Sequence, residues 1–564
     1  MRGRCSQGAR RSRGALLVTA AVGRRRALIR RRASQPARQR KRRKYQDLPS
    51  TLQGVHPGDA EFEGRLMTEI GSVNGPRQLV ALVSQFGPDL SDRHLAAALS
   101  RLAGFVVRPA ARTAAAGSVR RQRLAYGDGD SDSDGNGWGG ASTSGRQAAG
   151  GVFSGDGDGG GGGDDDDIAA LITGAARRCA SVLLLRSGGG GTGGSAGGLE
   201  PMPAATALLS LGRLRVYNGA LCEAVVALTF DRLGQLPPDG LAALIGGLAD
   251  VGHAPSGEWL GRFCVESFAR MARFNGPELA STTHALATLR HSASPQWLAS
   301  AMRAYQGCIG TSATPPATAR LLYALAMMKA RPTFNWVAAV LADVLRSIDA
   351  FTGRELAALL WATVALGHPQ DALFMEAWFV AAGRRMGSLG VTPTLLTLSA
   401  LAATAQGQRP APARFARLLL PHVQTLLPAM SAEQLSDALS ALVAMRLRPS
   451  EQWMGAFEDE LEARLPRLSD PARYGSLCWA LGRLRYRPAD ACTRALVARG
   501  DALVPRARAH DAGLAVWGAA QAELGAPPGW GAALLAKVDA RDGVASAGAG
   551  AGAGAKEAGA QQQA

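Results

Sequence analysis

The sequence predicts an all-α fold: an α-solenoid (superhelix) of stacked helix pairs with a period of about 38–40 residues. Three observations predict it. Prolines return at a nearly fixed interval, a large side chain follows almost every one, and a helix-like apolar segment recurs upstream with the same period. The prolines are Pro255, Pro295, Pro332, Pro369, Pro410, Pro449, Pro488 and Pro527, spaced by 40, 37, 37, 41, 39, 39 and 39 residues. Within five positions come Trp259, Trp297, Trp336, Phe374, Phe415, Trp453 and Trp530, with Cys492 in the exceptional unit. The upstream segments include LASTTHALATL, LLYALAMM, LAALLWATVAL, LSDALSALVAM and GSLCWALGRL. Aligned, they set Gly246, His284, Tyr323, Trp361, Ser399, Ser440, Trp479 and Trp517 in one column, 38 to 41 residues apart.

The elements follow in chain order. Residues 1–50 hold 17 Lys and Arg against one acid, Asp47, and so supply +16 of the formal charge of +18. Their Arg-, Ser- and Ala-rich composition predicts a disordered organellar transit peptide. The apolar run Ala15–Val22 is too short for a secretory signal, while the cluster Arg40–Lys44 keeps a nuclear address as the alternative. Residues 51–110 are expected to form a short helical region with one isolated repeat-like unit, LAAALSRLAGFVVRP at Leu95–Pro109. Residues 111–167, with GDGDSDSDGNGWGG and SGDGDGGGGGDDDD, lose apolar periodicity and are predicted to be disordered. Asp128–Gly135 looks like a calcium loop but lacks the closing glutamate and the flanking helices. A short helix and a Gly-rich linker are expected over 168–200, the array over 201–543, and a disordered Ala/Gly/Gln tail over 544–564.

Each unit has room for two helices of 12 to 16 residues and short turns. The first helix is expected to end before the proline, because the residue preceding proline resists the α conformation. The proline is expected in the opening turn of the second helix, where its missing N–H is not needed. The tryptophan that follows is expected to anchor the core rather than to stack on a ligand. One pair cannot bury its apolar face alone, so pairs must stack. Eight units follow the pattern, a degenerate one covers 201–238, and nine or ten pairs are expected in all.

Composition narrows the function. Residues 168–543 carry 35 basic and 27 acidic side chains, a net of +8, so charge alone is weak support for a nucleic-acid partner. The seven cysteines are far apart and form no CxxC, which speaks against a disulfide framework or a zinc ribbon and for a reducing compartment. No uninterrupted apolar run reaches the length of a membrane span. Neither GxxxxGK[ST] nor HExxH occurs. The expectation is a non-enzyme with no cofactor, no metal, no small-molecule substrate and no membrane insertion.

The best copies of the unit are RPSEQW at 448–453, LLWATVALGHP at 359–369 and LCWALGRLRYRP at 477–488. In period and wording they resemble the octotricopeptide repeat of green-algal organellar proteins, over 201–542. The resemblance implies a modular RNA-binding protein acting on the stability, processing or translation of organellar transcripts. It implies single-stranded RNA as partner, with other RNA-processing proteins beside it, and a chloroplast address with the mitochondrion as alternative. The chain departs from the family in reducing its PPPEW to one proline in most units, and nothing like a RAP domain is read.

Two sets of residues are candidates for RNA contact. Arg331, His368, Arg409, Arg448 and Arg487 each immediately precede a repeat proline, and stacking would set them in a ladder along a phosphate backbone. The alternative is that they cap helix C-termini. Repeat proteins read bases through polar side chains that recur in position but vary in identity. Ser281, Arg320, Asp437 and Ser476 lie three residues before the aligned column, and Glu278, Glu355, Gln434, Arg473 and Asp511 lie six before it. They share a helix face, being three apart. The alternative for them is an ordinary first turn with acids at the helix N-terminus. The rival to RNA binding is a protein-interaction scaffold on the same surface.

Overall fold

The computed structural model describes residues 60–86, 90–120, 163–187, 199–368, 371–405 and 410–538, and no strand occurs among them. The helices come in pairs. The first are α1 (Ala60–Ser72) with α2 (Pro76–Phe86), α3 (Asp92–Arg120) with α4 (Gly163–Ser187), and α5 (Pro201–Arg213) with α6 (Gly219–Thr229). Then come α7 (Pro238–Asp250) with α8 (Gly257–Ala269), α9 (Gly276–Thr288) with α10 (Pro295–Cys308), and α11 (Pro315–Met327) with α12 (Phe334–Ser347). Next are α13 (Gly353–Ala365) with α14 (Ala372–Gly383), α15 (Val391–Ala405) with α16 (Pro410–Leu426), and α17 (Ala432–Ala444) with α18 (Glu451–Arg464). The last are α19 (Pro471–Leu484) with α20 (Asp490–Leu503), and α21 (Ala509–Gln521) with a helix over 528–538, α22. Odd helices pack on odd and even on even, in sequence order, which makes a two-layered α-solenoid. The odd helices, layer A, lie closer to one another than the even helices of layer B, so the array bends with A on its inner side.

Eleven pairs are present among the described residues, against the nine or ten expected. The additional pair, α1 and α2, has a proline, Pro76, at the start of its second helix but no large side chain of the tryptophan kind after it, and so escapes the pattern. The unit at Leu95 is not isolated: α3 packs on α5, and α4 sits between α2 and α6. The long insertion therefore parts the two helices of one pair rather than two units. Helix α3 also runs past Pro109 to Arg120, and α4 begins at Gly163, so both enter the stretch predicted to be disordered. Alanine, abundant at 110–116, has the highest helix propensity. The expected presequence over 1–50, residues 121–162, the linker over 188–198, the tail, Pro369 and Arg409 lie outside the described residues. By length and mean hydropathy α4 alone among the described helices could cross a membrane, yet Arg177 and Arg178 interrupt it and Ile172, Cys179 and Leu183 are buried in the stack.

The A-to-B turns correct the expected role of proline. Layer A helices end in a left-handed residue: Arg215, Gly252, Arg290, Lys329, Gly367, Arg446, Arg485 and Glu523, with φ from 48° to 73°. The next N–H then donates to the carbonyl five residues back, as from Val216 to Leu211, His291 to Leu286, Leu447 to Leu442 and Tyr486 to Leu481. This Schellman turn stops the helix three or more residues before the proline does. Pro255, Pro332, Pro449 and Pro488 stand just before the N-cap residue, and only Pro295 and Pro410 open their helices. Before most of the repeat tryptophans a hydroxyl occupies the cap. Ser256, Ser294, Thr333 and Ser450 accept the backbone N–H of Trp259, Trp297, Trp336 and Trp453 at 3.2 to 3.4 Å.

The tryptophans themselves anchor the core, none more than 6% exposed. Three reach the preceding B helix through their indole N–H: Trp297 to Ser267 Oγ at 3.0 Å, Trp336 to the Met302 carbonyl at 2.8 Å, and Trp530 to Asp501 at 2.8 Å. Trp259 and Trp453 instead stack on Phe263 and Phe457 one turn on. In layer A the matching device is smallness. Five positions before the left-handed residue stand Ser210, Gly247, Ala285, Ala324, Ala362, Ala441, Ala480 and Gly518, which let neighbouring helices meet almost backbone to backbone.

Candidate nucleic-acid interface

The two edges of the array use arginine differently. On the B-to-A edge, Arg270, Arg385 and Arg464 are consumed by the fold, while Arg273, Arg467 and Arg506 stay exposed. Arg270 donates to Glu266 at 2.8 Å and to the Gly234 carbonyl of the preceding unit at 2.5 Å. Arg385 donates to the Ala381 and Asp349 carbonyls, and Arg464 to Glu460 and the Pro428 carbonyl. Each thus staples its unit to the one before, 36 residues back.

On the A-to-B edge, Arg215, Arg290, Lys329, Arg446 and Arg485 are exposed, and their side chains make no hydrogen bond or ion pair among the described residues. Their backbone is left-handed, which costs an L-residue about 1–2 kcal/mol. A cation at a helix C-terminus recovers about 0.3–1 kcal/mol of that. Glycine would hold these turns at lower free energy, as it does at Gly252 and Gly367. Five of the eight described turns nevertheless carry Arg or Lys.

The pre-proline ladder falls on the same edge, but unevenly. Arg331 and Arg448 are exposed and free of ion pairs among the described residues. Arg487 is exposed and lies 3.6 Å from Asp490. His368 is half-buried, stacked on Phe334 at 4.8 Å, and burial lowers its pKa, so it is neutral at pH 7 and adds no charge. Arg409 lies outside the described residues.

The candidate base-reading residues lie on layer A. Glu278, Glu355 and Gln434 each close a capping box, with Asn275, Thr352 and Ser431 respectively, so their side chains are engaged in starting α9, α13 and α17. Ser476 donates to the Ala472 carbonyl of its own helix. Arg473 donates to Asp437 across α17 and α19 at 3.1 Å; burial raises the Asp437 carboxyl and Arg473 opposes that rise. Ser281 is half-buried against Gly246, and Asp511 is half-buried on α21. Arg320 is half-buried near the exposed Asp250 and Arg213; desolvation lowers the guanidinium and raises the Asp250 carboxyl despite their attraction. Beside it runs a tilted aromatic series, His284 to Tyr323 at 6.3 Å and Tyr323 to Trp361 at 5.0 Å.

His284 makes this series sensitive to acid. Burial first, and then repulsion from Arg320 and Arg354, push its pKa down to about 4. The unfolded chain takes the proton at pH 6.5 while the folded one refuses it. Stability is therefore complete above pH 6.5 and falls as pH drops toward 4, by about 3 kcal/mol. Urea midpoints at pH 7 and pH 5 should converge in His284→Tyr, which places in this unit the ring that Tyr323 supplies in the next. An acid loss equal to wild type in that variant would exclude His284 as its source.

Other chemistry is muted. Burial raises Cys179, Cys478 and Cys492 to about 12 and Cys222 and Cys264 to about 11, which keeps them as thiols at neutral pH. No His, Cys, Asp and Glu cluster suited to a metal occurs among the described residues. No known family model matches the chain, and no curated protein matches it in sequence. The cations that sequence reasoning left out, Arg215, Arg290 and Lys329, had one available signal: each ends an apolar layer A segment where a glycine is expected.

Proposed function

We propose that this chain is an organellar protein that binds single-stranded RNA along the A-to-B edge of its solenoid. Its effect there is on the stability, processing or translation of a transcript, in the chloroplast or else the mitochondrion. One observation carries the reading: exposed arginines, Arg331, Arg448 and Arg487, recur immediately before the repeat proline in stacked units. A row of guanidinium groups fits a phosphate backbone and needs no catalytic group from the chain. The resemblance to octotricopeptide repeats and the Arg-rich first 50 residues support the same reading.

The test uses the full chain, because a fragment beginning at residue 200 would strip α3 from α5 and α4 from α6. RNA is selected from a random single-stranded pool, and affinity is measured at two salt concentrations. Wild type should enrich a defined sequence. Changing Arg331, Arg448 and Arg487 to Ala should flatten the slope of log affinity against log salt by about 2, at roughly 0.7 per phosphate contact. No enrichment and no salt-sensitive binding would leave a protein-interaction scaffold as the better account.

A further inference from the structure

We infer that Arg215, Arg290, Lys329, Arg446 and Arg485 form a second row of phosphate contacts, two residues upstream of the pre-proline row, so that a single-stranded nucleic acid is held through its backbone from two rows at once. The inference rests on the RNA reading and goes further, because it assigns these five side chains a role that the fold does not need.

The backbone carries the argument. Each of the five occupies a left-handed turn that glycine holds with less strain, and the same array fills that turn with Gly252 and Gly367. Asparagine, the residue besides glycine that visits this region most readily, appears at none of the eight left-handed positions. The residues found there are instead four arginines and one lysine, exposed and unpaired among the described residues. In three units the second cation follows two residues on, pairing Lys329 with Arg331, Arg446 with Arg448, and Arg485 with Arg487. Retention of a strained cation without an internal partner points to an external anion.

Spacing decides what kind of anion. Neighbouring units stand roughly 10 Å apart, so the row from Arg215 to Arg485 extends on the order of 70 Å. A nucleotide or a free phosphate would meet one rung. A linear polyanion meets them all, and a phosphodiester strand is one that arginine grips with directed hydrogen bonds. Glu523, left-handed and acidic in the last described turn, ends the row.

The experiment exchanges strain for charge. All five residues are changed to Gly in the full chain, and binding of a random-sequence single-stranded RNA pool is measured across a salt series. The melting midpoint should stay at or above wild type, because glycine suits the turn. Affinity should fall at least about tenfold at low salt, and the salt slope should flatten by about 3.5. As a charge control, Arg273, Arg303, Arg467 and Arg506, exposed away from the A-to-B turns, are changed to Gln and should leave the slope within about 1 of wild type. Conversely, Glu523→Arg adds a rung in a turn that already tolerates a side chain, and should tighten binding and steepen the slope by about 0.7.

An unchanged slope in the Gly variant, or an equal loss in the control, overturns this row while leaving the RNA reading in place. A lower melting midpoint means that the side chains serve the turn itself, and also overturns it. If the Gly variant does not fold, Glu523→Arg decides: no gain in affinity overturns the row. Wild type that binds no RNA removes the RNA reading and this inference together.

Discussion

Gly518→Val is expected to destabilise the array by about 3 kcal/mol or more, the upper end for overpacking. A Cβ at Gly518 would stand 2.1 Å from the Cys478 carbonyl oxygen, 2.2 Å from its carbon and 2.6 Å from the Trp479 nitrogen. All three are backbone atoms of α19, so no side-chain rotation relieves the contact. On the facing helix, a Cβ at Gly482 would meet the Cα of Gly518 at 2.8 Å. The two glycines let α19 and α21 touch backbone to backbone, and any side chain at 518 drives them apart. Gly247 plays the same part near the other end of the array, where its Cβ would stand 2.5 Å from the Leu209 nitrogen. Gly513→Ala is the contrast. Its Cβ would meet nothing nearer than 4.0 Å, and removing a helical glycine should stabilise by about 0.5–1 kcal/mol. Urea unfolding gives both free energies, and hydrogen exchange should show 509–538 opening first in Gly518→Val. Equal stability of the two variants would mean that the close approach is not a feature of the folded chain.

The period was legible because it is written in local signals: apolar segments at helical spacing, and a proline and a tryptophan at each turn between layers. What stops and starts the helices was less so. The prolines drew attention, but the left-handed residues before them end layer A, and the serine or threonine three before Trp259, Trp297, Trp336 and Trp453 starts four of the layer B helices. An arginine such as Arg290 does not announce a left-handed turn as glycine does, so Arg215, Arg290 and Lys329 stayed outside the reading. The spacing of Thr352 and Glu355, or Ser431 and Gln434, was itself a capping-box signature. It competed with base reading as the meaning of the same variable positions. The pair α1 and α2 had only the opening Pro76 with no tryptophan after it, and three-dimensional stacking on α3 and α4 assigns it to the array.

Trp297→Ala is expected to cost about 3–5 kcal/mol and to divide the array in two. Trp297 is 2% exposed in α10, and its indole N–H crosses to Ser267 Oγ on α8, so its loss opens a cavity at the seam between units. Trp297→Phe keeps most of the volume and loses only the bond, for about 1 kcal/mol. Trp453→Phe should cost less than Trp297→Phe by that amount, because the Trp453 indole N–H has no partner to lose among the described residues. A solenoid holds together through contacts between neighbours, so a broken seam separates what lies on either side. Unfolding of Trp297→Ala should then show two transitions where wild type shows one, with hydrogen exchange rising first in α8 and α10. On the proposed RNA reading, affinity should fall further than the loss of any one edge cation explains, since Arg215 and Lys329 to Arg487 stand on opposite sides of the seam. A single wild-type-like transition with RNA affinity intact would show that the tryptophan column does not couple the units, and the two-row interface would then have to align without it.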